Sequence, residues 1–218
     1  MVKALIFDMD GLMIDSEGLY WQTEREMARK FNKTVEDKTL WEMMGRSPVD
    51  SMEIFVRDAK LPISPEKALE MRNRIMRKKL KTDLKPIPGL FHIMDRFRGR
   101  LKMAVCTSAQ KEFLDIVVDR LEIRNQFDVL QSFEGVSKGK PDPEIYLKTC
   151  ERLKLKPEHC VVLEDSSNGA LAGKQAGCYV IAVPSEYTAG QDFHFADFMA
   201  DSLFQAEEHI TALLERSS

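Results

Sequence analysis

Acidic, hydroxyl and lysine side chains follow short apolar runs at several places in this 218-residue sequence. The set comprises Asp8 and Asp10 after residues 4–7, Thr107 and Ser108 after 102–106, Glu164 and Asp165 after 160–163, and Lys140 in a Gly-Lys-Pro loop. Several carboxylates in one place repel each other unless a hard cation lies among them, and oxygen-only ligation favours Mg²⁺. If the fold brings these run ends together, the set predicts a magnesium site.

The same residue types suit the transfer of a phosphoryl group. A hydroxyl and a lysine supply the donors and the positive charge that phosphoryl oxygens need. One Asp carboxylate can attack phosphorus and form an aspartyl-phosphate, and a second acid can protonate the leaving oxygen and then activate water. Taken singly, each residue also has an ordinary interpretation as a turn residue, a helix cap or a solvated charge.

The apolar runs predict strands that are buried on both faces, because each is short, continuous and bounded by polar residues. Amphipathic patterns between them predict helices, and this alternation favours an α/β fold with a doubly wound parallel sheet. Sites in such folds form at the carboxyl ends of the strands, where the polar residues stand. We expect strands at 4–7, 102–106, 127–130, 160–163 and 179–183, and helices at 110–121, 143–153, 166–176 and 202–216.

Residues 16–86 interrupt this alternation, because they contain almost nothing that is strand-like. Here we expect helices at 19–31, 39–44, 49–60 and 65–80. The sequence therefore predicts two domains: a catalytic domain formed by residues 1–15 and 87–218, and a small all-helical domain formed by residues 16–86.

The composition disfavours several other classes of protein. Hydrophobic residues make up 44% and charged residues 31%, which allows a sizeable core and is typical of neither a disordered chain nor a membrane protein. The formal net charge of -3 offers nothing that attracts nucleic acid or an anionic membrane. The four cysteines form no CxxC pair, so we expect buried free thiols in a reducing, cytoplasmic setting. We also expect a monomer whose partner is a small phosphorylated substrate.

Four motifs, in order along the chain, resemble the haloacid dehalogenase-like (HAD) hydrolase superfamily. They are Asp8-Met9-Asp10-Gly11, Cys106-Thr107-Ser108, Gly139-Lys140-Pro141-Asp142-Pro143, and Leu163-Glu164-Asp165-Ser166 followed by Asn168-Gly169. The resemblance covers nearly the whole chain and is to the branch with beta-phosphoglucomutase and sugar-phosphate phosphatases. It implies a Rossmann-like core with strand order 5-4-1-2-3 and a helical cap made of residues 16–86.

The resemblance implies roles for the acidic residues. Asp8 corresponds to the nucleophile and to a Mg²⁺ ligand, and Asp10 to the general acid/base, with its backbone carbonyl on the metal. Asp165 and Glu164 correspond to residues that hold the metal directly or through water. Haloacid dehalogenases lack an acid at the second position, so Asp10 favours phosphoryl transfer.

The resemblance also implies how the phosphoryl group is held. The hydroxyl of Thr107 and the backbone N–H of Ser108 correspond to its donors. Lys140 corresponds to the cation that neutralises Asp8 and the phosphoryl oxygens. Lys138 competes for this role, but only Lys140 fits the Gly-Lys-Pro spacing.

Substrate choice is expected to depend on the cap, where Glu17, Tyr20, Gly45 and Arg46 occupy positions of specificity residues in this branch. A phosphomutase of the beta-phosphoglucomutase type is the alternative function. Its pattern has a His and a Lys where this chain has Tyr20 and Met44, which argues against it. A catalytically inactive binding or regulatory protein on the same fold is a further alternative, but every motif group is present.

Overall fold

The computed structural model describes residues 1–44 and 48–215. The chain divides into two compact units, Met1–Asp15 with Lys85–Ser218, and Ser16–Leu84. We call the first the core unit and the second the helical unit. No helix in the described ranges has both the length and the apolar character that crossing a membrane requires.

A six-stranded parallel sheet runs through the core unit in the order β3-β2-β1-β4-β5-β6. Counted from the other edge, this order contains the predicted 5-4-1-2-3, with β6 added beside β5. The predicted doubly wound parallel sheet is therefore confirmed. The strands are β1 (Ala4–Phe7), β2 (Lys102–Cys106), β3 (Val129–Gln131), β4 (Cys160–Glu164), β5 (Tyr179–Ala182) and β6 (Phe198–Met199).

Helices form most of the remaining described chain. The helical unit contains α1 (Glu17–Lys30), α2 (Asp37–Met43), α3 (Pro48–Asp58) and α4 (Pro65–Thr82). The core unit contains α5 (Leu90–Phe97), α6 (Lys111–Arg120), α7 (Glu144–Leu153), α8 (Ser167–Gln175) and α9 (Leu203–Glu215).

The sequence did not lead us to expect α5 or β6. Helix α5 carries a signal that could have found it, since its buried residues Leu90, Ile93, Met94 and Phe97 follow helical spacing. Strand β6 has only two residues, too few for a periodic pattern, and its pairing with β5 is a tertiary contact.

Strand β1 lies at the centre of the sheet because its apolar residues are buried on both faces. Ala4 and Ile6 belong to a core cluster with residues of α7 and α8, and both are fully buried. Leu5 and Phe7, which point to the opposite face, are equally buried. Burying each large side chain of this strand stabilises the fold by about 1.5–3 kcal/mol.

The helical unit has an apolar core of its own. Met27, Leu40, Met52 and Phe55 are almost completely buried and pack together with further apolar residues of all four helices. Four of the six methionines of residues 16–86 are buried, whereas Trp41 is 48% exposed.

The helical unit also buries charged side chains. Glu24 on α1 is 2% exposed and Arg72 on α4 is 9% exposed. Neither Oε2 of Glu24 nor Nε of Arg72 has a hydrogen-bond partner among the described residues. Burial raises the pKa of Glu24 to about 8, although the positive charge of Arg72 opposes the shift.

The raised pKa predicts that Glu24→Gln stabilises the protein more at pH 8 than at pH 5. Between an ordinary pKa of 4.5 and about 8, the folded state retains a proton that the unfolded state releases. Stability of the unsubstituted protein therefore falls as pH rises through this window, by up to roughly 4 kcal/mol. Glutamine does not titrate, so the difference in Tm between the two proteins is expected to grow with pH.

Glu26→Gln on the same helix is the matched control. Glu26 is partly exposed and pairs with Lys30 at 3.1 Å, so its loss is expected to change stability by less than about 1 kcal/mol at either pH. Thermal unfolding at both pH values measures the comparison. A Tm difference for Glu24→Gln that is the same at pH 5 and pH 8 would contradict the prediction.

Candidate active site

The candidate site forms where β1, β2 and β4 end side by side. Phe7, the last residue of β1, pairs with Val105 of β2 and with Leu163 of β4. The backbone N–H of Asp8 donates to the carbonyl oxygen of Leu163 at 3.0 Å, which continues the ladder by one residue. Thr107 directly follows β2. The polar residues that follow these three strands therefore lie together at the carboxyl ends of the strands.

Lys140 crosses from the loop before α7 to two of these carboxylates. Its Nζ donates to Oδ1 of Asp8 at 2.5 Å and to Oε1 of Glu164 at 2.6 Å. The side chains of Lys140 and Asp8 are each 8% exposed, and that of Glu164 is completely buried. Lys138, the competing lysine, instead lies at the surface, 3.7 Å from Asp142.

The pKa values of Asp8, Lys140 and Glu164 are shifted in different directions. Burial raises the pKa of Asp8; Lys140 opposes the shift, and the charges of Glu164 and Asp10 add to it. For Lys140, burial disfavours the charged form, but Asp8 and Glu164 outweigh burial and raise its pKa well above the ordinary value. Burial also acts to raise the pKa of Glu164, but Lys140 and hydrogen bonds from Ser166 lower it. Lys140 thus lies between two buried carboxylates whose pKa values shift in opposite directions, upwards for Asp8 and downwards for Glu164.

A cluster of carboxylate oxygens offers a site for a cation. Asp8, Glu164 and Asp165 are buried and offer carboxylate oxygens within 4.8 Å of one another. Gly11 gives Asp165 its room: with φ at +81°, a Cβ at this position would lie 2.1 Å from Oδ2 of Asp165. An all-oxygen, negatively charged donor set fits a hard divalent cation such as Mg²⁺.

Thr107 joins the second acid to this site. Its hydroxyl donates to Oδ2 of Asp10 at 3.1 Å and accepts from the backbone N–H of Ala109 at 2.9 Å. Asp10 is partly exposed, unlike Asp8, and Ser108 is exposed. A half-open carboxylate next to a deeply buried one suits the exchange of protons with a bound molecule or with water.

The predicted specificity residues lie elsewhere in the chain. Glu17 and Tyr20 are both on α1 of the helical unit and partly buried, and the Tyr20 ring lies 5.4 Å from the guanidinium carbon of Arg72. Gly45 and Arg46 lie outside the described residues.

Two contacts of Glu164 were not predicted from the sequence, one with Tyr146 and one with Gly169 of the fourth motif. Tyr146 of α7 donates its hydroxyl to Oε1 of Glu164 at 2.9 Å and is completely buried. Gly169 of α8 leaves room for the same carboxylate, since a Cβ there would lie 1.7 Å from Oε1 of Glu164. A tyrosine on the apolar face of a predicted helix that follows Lys140 was the available signal for Tyr146.

The family model for haloacid dehalogenase-like hydrolases matches residues 5–183. The chain belongs to this family. The hydrolase is 34% identical over 178 residues to a phosphorylated carbohydrates phosphatase of Thermotoga maritima, which covers 81% of this chain and 82% of that protein.

Two solved structures resemble this hydrolase over most of their length. The crystal structure of CbbY from Rhodobacter sphaeroides in complex with phosphate is 25% identical, with a TM-score of 0.83, and the match covers 93% of this chain and 95% of that one. The beta-phosphoglucomutase of Clostridium difficile is 21% identical, with a TM-score of 0.76 and coverage of 98% and 100%, which shows a shared fold.

The close approach of Gly169 to Glu164 predicts that Gly169→Ala destabilises the hydrolase. In an unhindered helix this change stabilises by about 0.5–1 kcal/mol. Here the new methyl group must displace a buried carboxylate, and we expect a net loss of roughly 1–3 kcal/mol in the free energy of unfolding. Denaturant unfolding measures it.

Gly190→Ala provides the control, because a Cβ there meets no heavy atom of the described chain within 4 Å beyond its two neighbours in sequence. Its stability is expected to stay within about 0.5 kcal/mol of the unsubstituted protein. Equal or higher stability of Gly169→Ala would show that Glu164 does not occupy the position described.

Proposed function

We propose that this hydrolase is a magnesium-dependent phosphatase of small phosphorylated metabolites that forms an aspartyl-phosphate on Asp8. The observation that carries the proposal is the buried bridge from Lys140 to Asp8 and Glu164, with the carboxylate of Asp10 nearby. The name of the Thermotoga maritima relative and the phosphate complex of CbbY support phosphate chemistry.

In the proposed reaction, an oxygen of Asp8 attacks phosphorus and the bond from phosphorus to the leaving oxygen breaks. Asp10 donates a proton to that oxygen and then accepts one from the water that hydrolyses the aspartyl-phosphate. Lys140 compensates charge on Asp8 and on the phosphoryl oxygens. The Thr107 hydroxyl, which now donates to Asp10, and the N–H of Ser108 are the proposed donors to the phosphoryl group.

Mg²⁺ would be held by Asp8, Asp165 and the backbone carbonyl of Asp10, with Glu164 as a further ligand directly or through water. When bound, it would supply positive charge for the phosphoryl oxygens. A cation at this place would favour the ionised form of Asp8, whose pKa is raised by burial.

The helical unit is proposed to act as a cap that selects the substrate, with Glu17, Tyr20, Gly45 and Arg46 as candidate contacts. A phosphorylated sugar is the first substrate class to test, because the Thermotoga maritima relative is named for phosphorylated carbohydrates. The monomeric state and the cytoplasmic setting stay predictions.

Two substitutions test the chemistry with p-nitrophenyl phosphate. Asp8→Asn removes the nucleophile, so we expect loss of both the first turnover and steady-state release of nitrophenol, by roughly 10³-fold or more. Asp10→Asn should retain a first-turnover burst, because nitrophenolate leaves without protonation, but should lose steady-state turnover, because water is no longer activated. Rapid-mixing kinetics with and without EDTA measure both.

Glu112→Gln on α6, a substitution of an exposed acid in the first turn of that helix, is the control and should keep full activity. Turnover that survives EDTA or Asp8→Asn would rule out the proposed mechanism.

A phosphomutase would use the same core, and the fold shared with the Clostridium difficile mutase makes this the second candidate. Incubation with beta-glucose 1-phosphate distinguishes the two functions. A phosphatase that accepts this substrate releases phosphate and free glucose, whereas glucose 6-phosphate as the main product would establish the mutase.

A further inference from the structure

We propose that Glu144 is a positioning residue: with Lys148 it clamps the backbone of the preceding loop and so fixes where the Lys140 ammonium group lies. We call residues 133–139, which lie between β3 and Lys140, the lysine loop. The inference rests on the proposed function, because Lys140 is the residue that compensates charge on Asp8 in that reaction.

The lysine loop leads to a buried cation although the end of the loop is exposed. The Lys140 side chain is 8% exposed, and its Nζ lies 2.5 Å from Oδ1 of Asp8. Ser137, Lys138 and Gly139, which directly precede it, are all exposed. Ordering an exposed segment costs conformational entropy, so the segment keeps one position only where other groups hold it. The position of the ammonium group therefore depends on what holds this backbone.

One oxygen of Glu144 holds the end of the lysine loop. Its Oε2 accepts from the backbone N–H of Ser137 at 2.9 Å and from the backbone N–H of Lys138 at 2.9 Å. The Ser137 hydroxyl donates to the same oxygen at 2.6 Å. Glu144 is the first residue of α7, and apolar residues of this helix belong to the core cluster beside the sheet. These charge-assisted bonds therefore connect the exposed loop to a packed helix.

Lys148 completes the clamp from the next turn of α7. Its Nζ lies 2.6 Å from Oε1 of Glu144 and also donates to the carbonyl oxygen of Gly135. Hydrogen bonds with Lys148 and with Ser137 lower the pKa of Glu144 to about 2, so this carboxylate is ionised throughout the neutral range. The pair therefore holds the lysine loop at Gly135 as well as at Ser137 and Lys138.

A turn connects the clamp to Lys140. The backbone N–H of Asp142 donates to the carbonyl oxygen of Gly139 at 3.0 Å. The backbone N–H of Glu144 donates to Oδ1 of Asp142, also at 3.0 Å. Lys140 thus lies inside a short segment whose two ends are bonded to each other through Glu144. If the clamp is lost, we expect the ammonium group to occupy positions farther from Asp8, where it compensates less charge in the transition state.

Glu144→Ala tests the inference, because it removes the acceptor and keeps a residue that favours the helix. With p-nitrophenyl phosphate and saturating Mg²⁺, we expect kcat to fall about tenfold and KM to change less than about threefold, since a misplaced charge affects the transition state more than substrate binding. Glu151→Ala, which replaces an exposed glutamate near the other end of α7, is the matched control and should keep full kcat. An unchanged kcat in Glu144→Ala, or an equal loss in Glu151→Ala, would overturn the inference.

Glu144→Gln is the conservative variant that should restore the position of the loop. The amide oxygen of glutamine can still accept from the two backbone N–H groups, so we expect kcat to fall by no more than about threefold. A loss as large as that in Glu144→Ala would mean that the bonds to the loop do not position Lys140.

Hydrogen exchange of single amides, measured without substrate or Mg²⁺, follows the lysine loop directly. In Glu144→Ala the N–H groups of Ser137 and Lys138 lose their acceptor and should exchange at least about tenfold faster. The N–H of Phe133 donates to the carbonyl oxygen of Ala109 at 3.1 Å and should exchange at its original rate. Faster exchange without a loss of kcat, or a loss of kcat without faster exchange, would each contradict the proposed route.

Lys148→Met decides the question if Glu144→Ala does not fold. This change removes the ammonium group that holds Gly135 and keeps most of the apolar stem of the side chain. We expect kcat to fall about threefold, and the amides of Ser137 and Lys138 to exchange faster, because Glu144 loses its partner. A kcat and exchange rates equal to those of the unsubstituted protein would overturn the inference.

The outcomes separate this inference from the proposed function. If the unsubstituted protein shows no Mg²⁺-dependent turnover, the proposed function fails, whereas exchange of the loop amides can still be measured. If it turns over and Glu144→Ala matches it in kcat and KM, only the role of Glu144 fails.

Discussion

The buried ion pair between Lys140 and Glu164 is the interaction on which the candidate active site depends. Moving a charge from water into a protein interior costs several kcal/mol, and an interior charge persists only when it is paired and hydrogen-bonded. Glu164 meets this condition through Lys140, Tyr146 and Ser166. Asp8 shares the same lysine, whose Nζ lies 2.5 Å from its Oδ1, and burial nevertheless raises the pKa of Asp8. One lysine therefore interacts with two buried carboxylates whose pKa values shift in opposite directions.

The parallel sheet makes this arrangement possible, because it aligns the carboxyl ends of three neighbouring strands. With β1 between β2 and β4, residues that are far apart in the sequence meet within hydrogen-bonding distance, as Thr107 and Asp10 do. Close approach then depends on residues without side chains. Gly11 and Gly169 leave the volume that the carboxylates of Asp165 and Glu164 occupy. Position in the fold, more than residue type, gives each of the acids a different environment.

The helical unit has a different physical character. Its apolar core is separate, and it contains a buried acid, Glu24, whose hydrogen bonds are incomplete among the described residues. A buried carboxyl group with incomplete hydrogen bonds lowers the free energy of unfolding near neutral pH. We therefore expect Glu24 to offset part of the stability that the apolar core of the helical unit provides. The family match extends across this unit, since it runs from residue 5 to residue 183.

The sequence by itself determined the fold class, the strands β1, β2, β4 and β5, and the candidate residues Asp8, Asp10, Thr107 and Lys140. These could be predicted because strands buried on both faces appear as continuous apolar runs, and because reactive polar residues at their ends stand out from the runs. Strand β6 and helix α5 were not predicted. Strand β6 has only two residues, too few to show an alternating pattern, whereas the apolar residues of α5 do follow helical spacing.

Only the tertiary structure decided how the adjacent acids Glu164 and Asp165 differ. In the sequence they are equivalent neighbours, and either can be a ligand, a counter-ion or a helix-terminal charge. The register of β4 directs Glu164 towards Lys140 and Tyr146, whereas Asp165, one residue later, lies against Gly11. Burial, hydrogen bonds and charge then act differently on the two carboxylates. Those quantities depend on atoms brought together from distant segments, and no local pattern of residues records them.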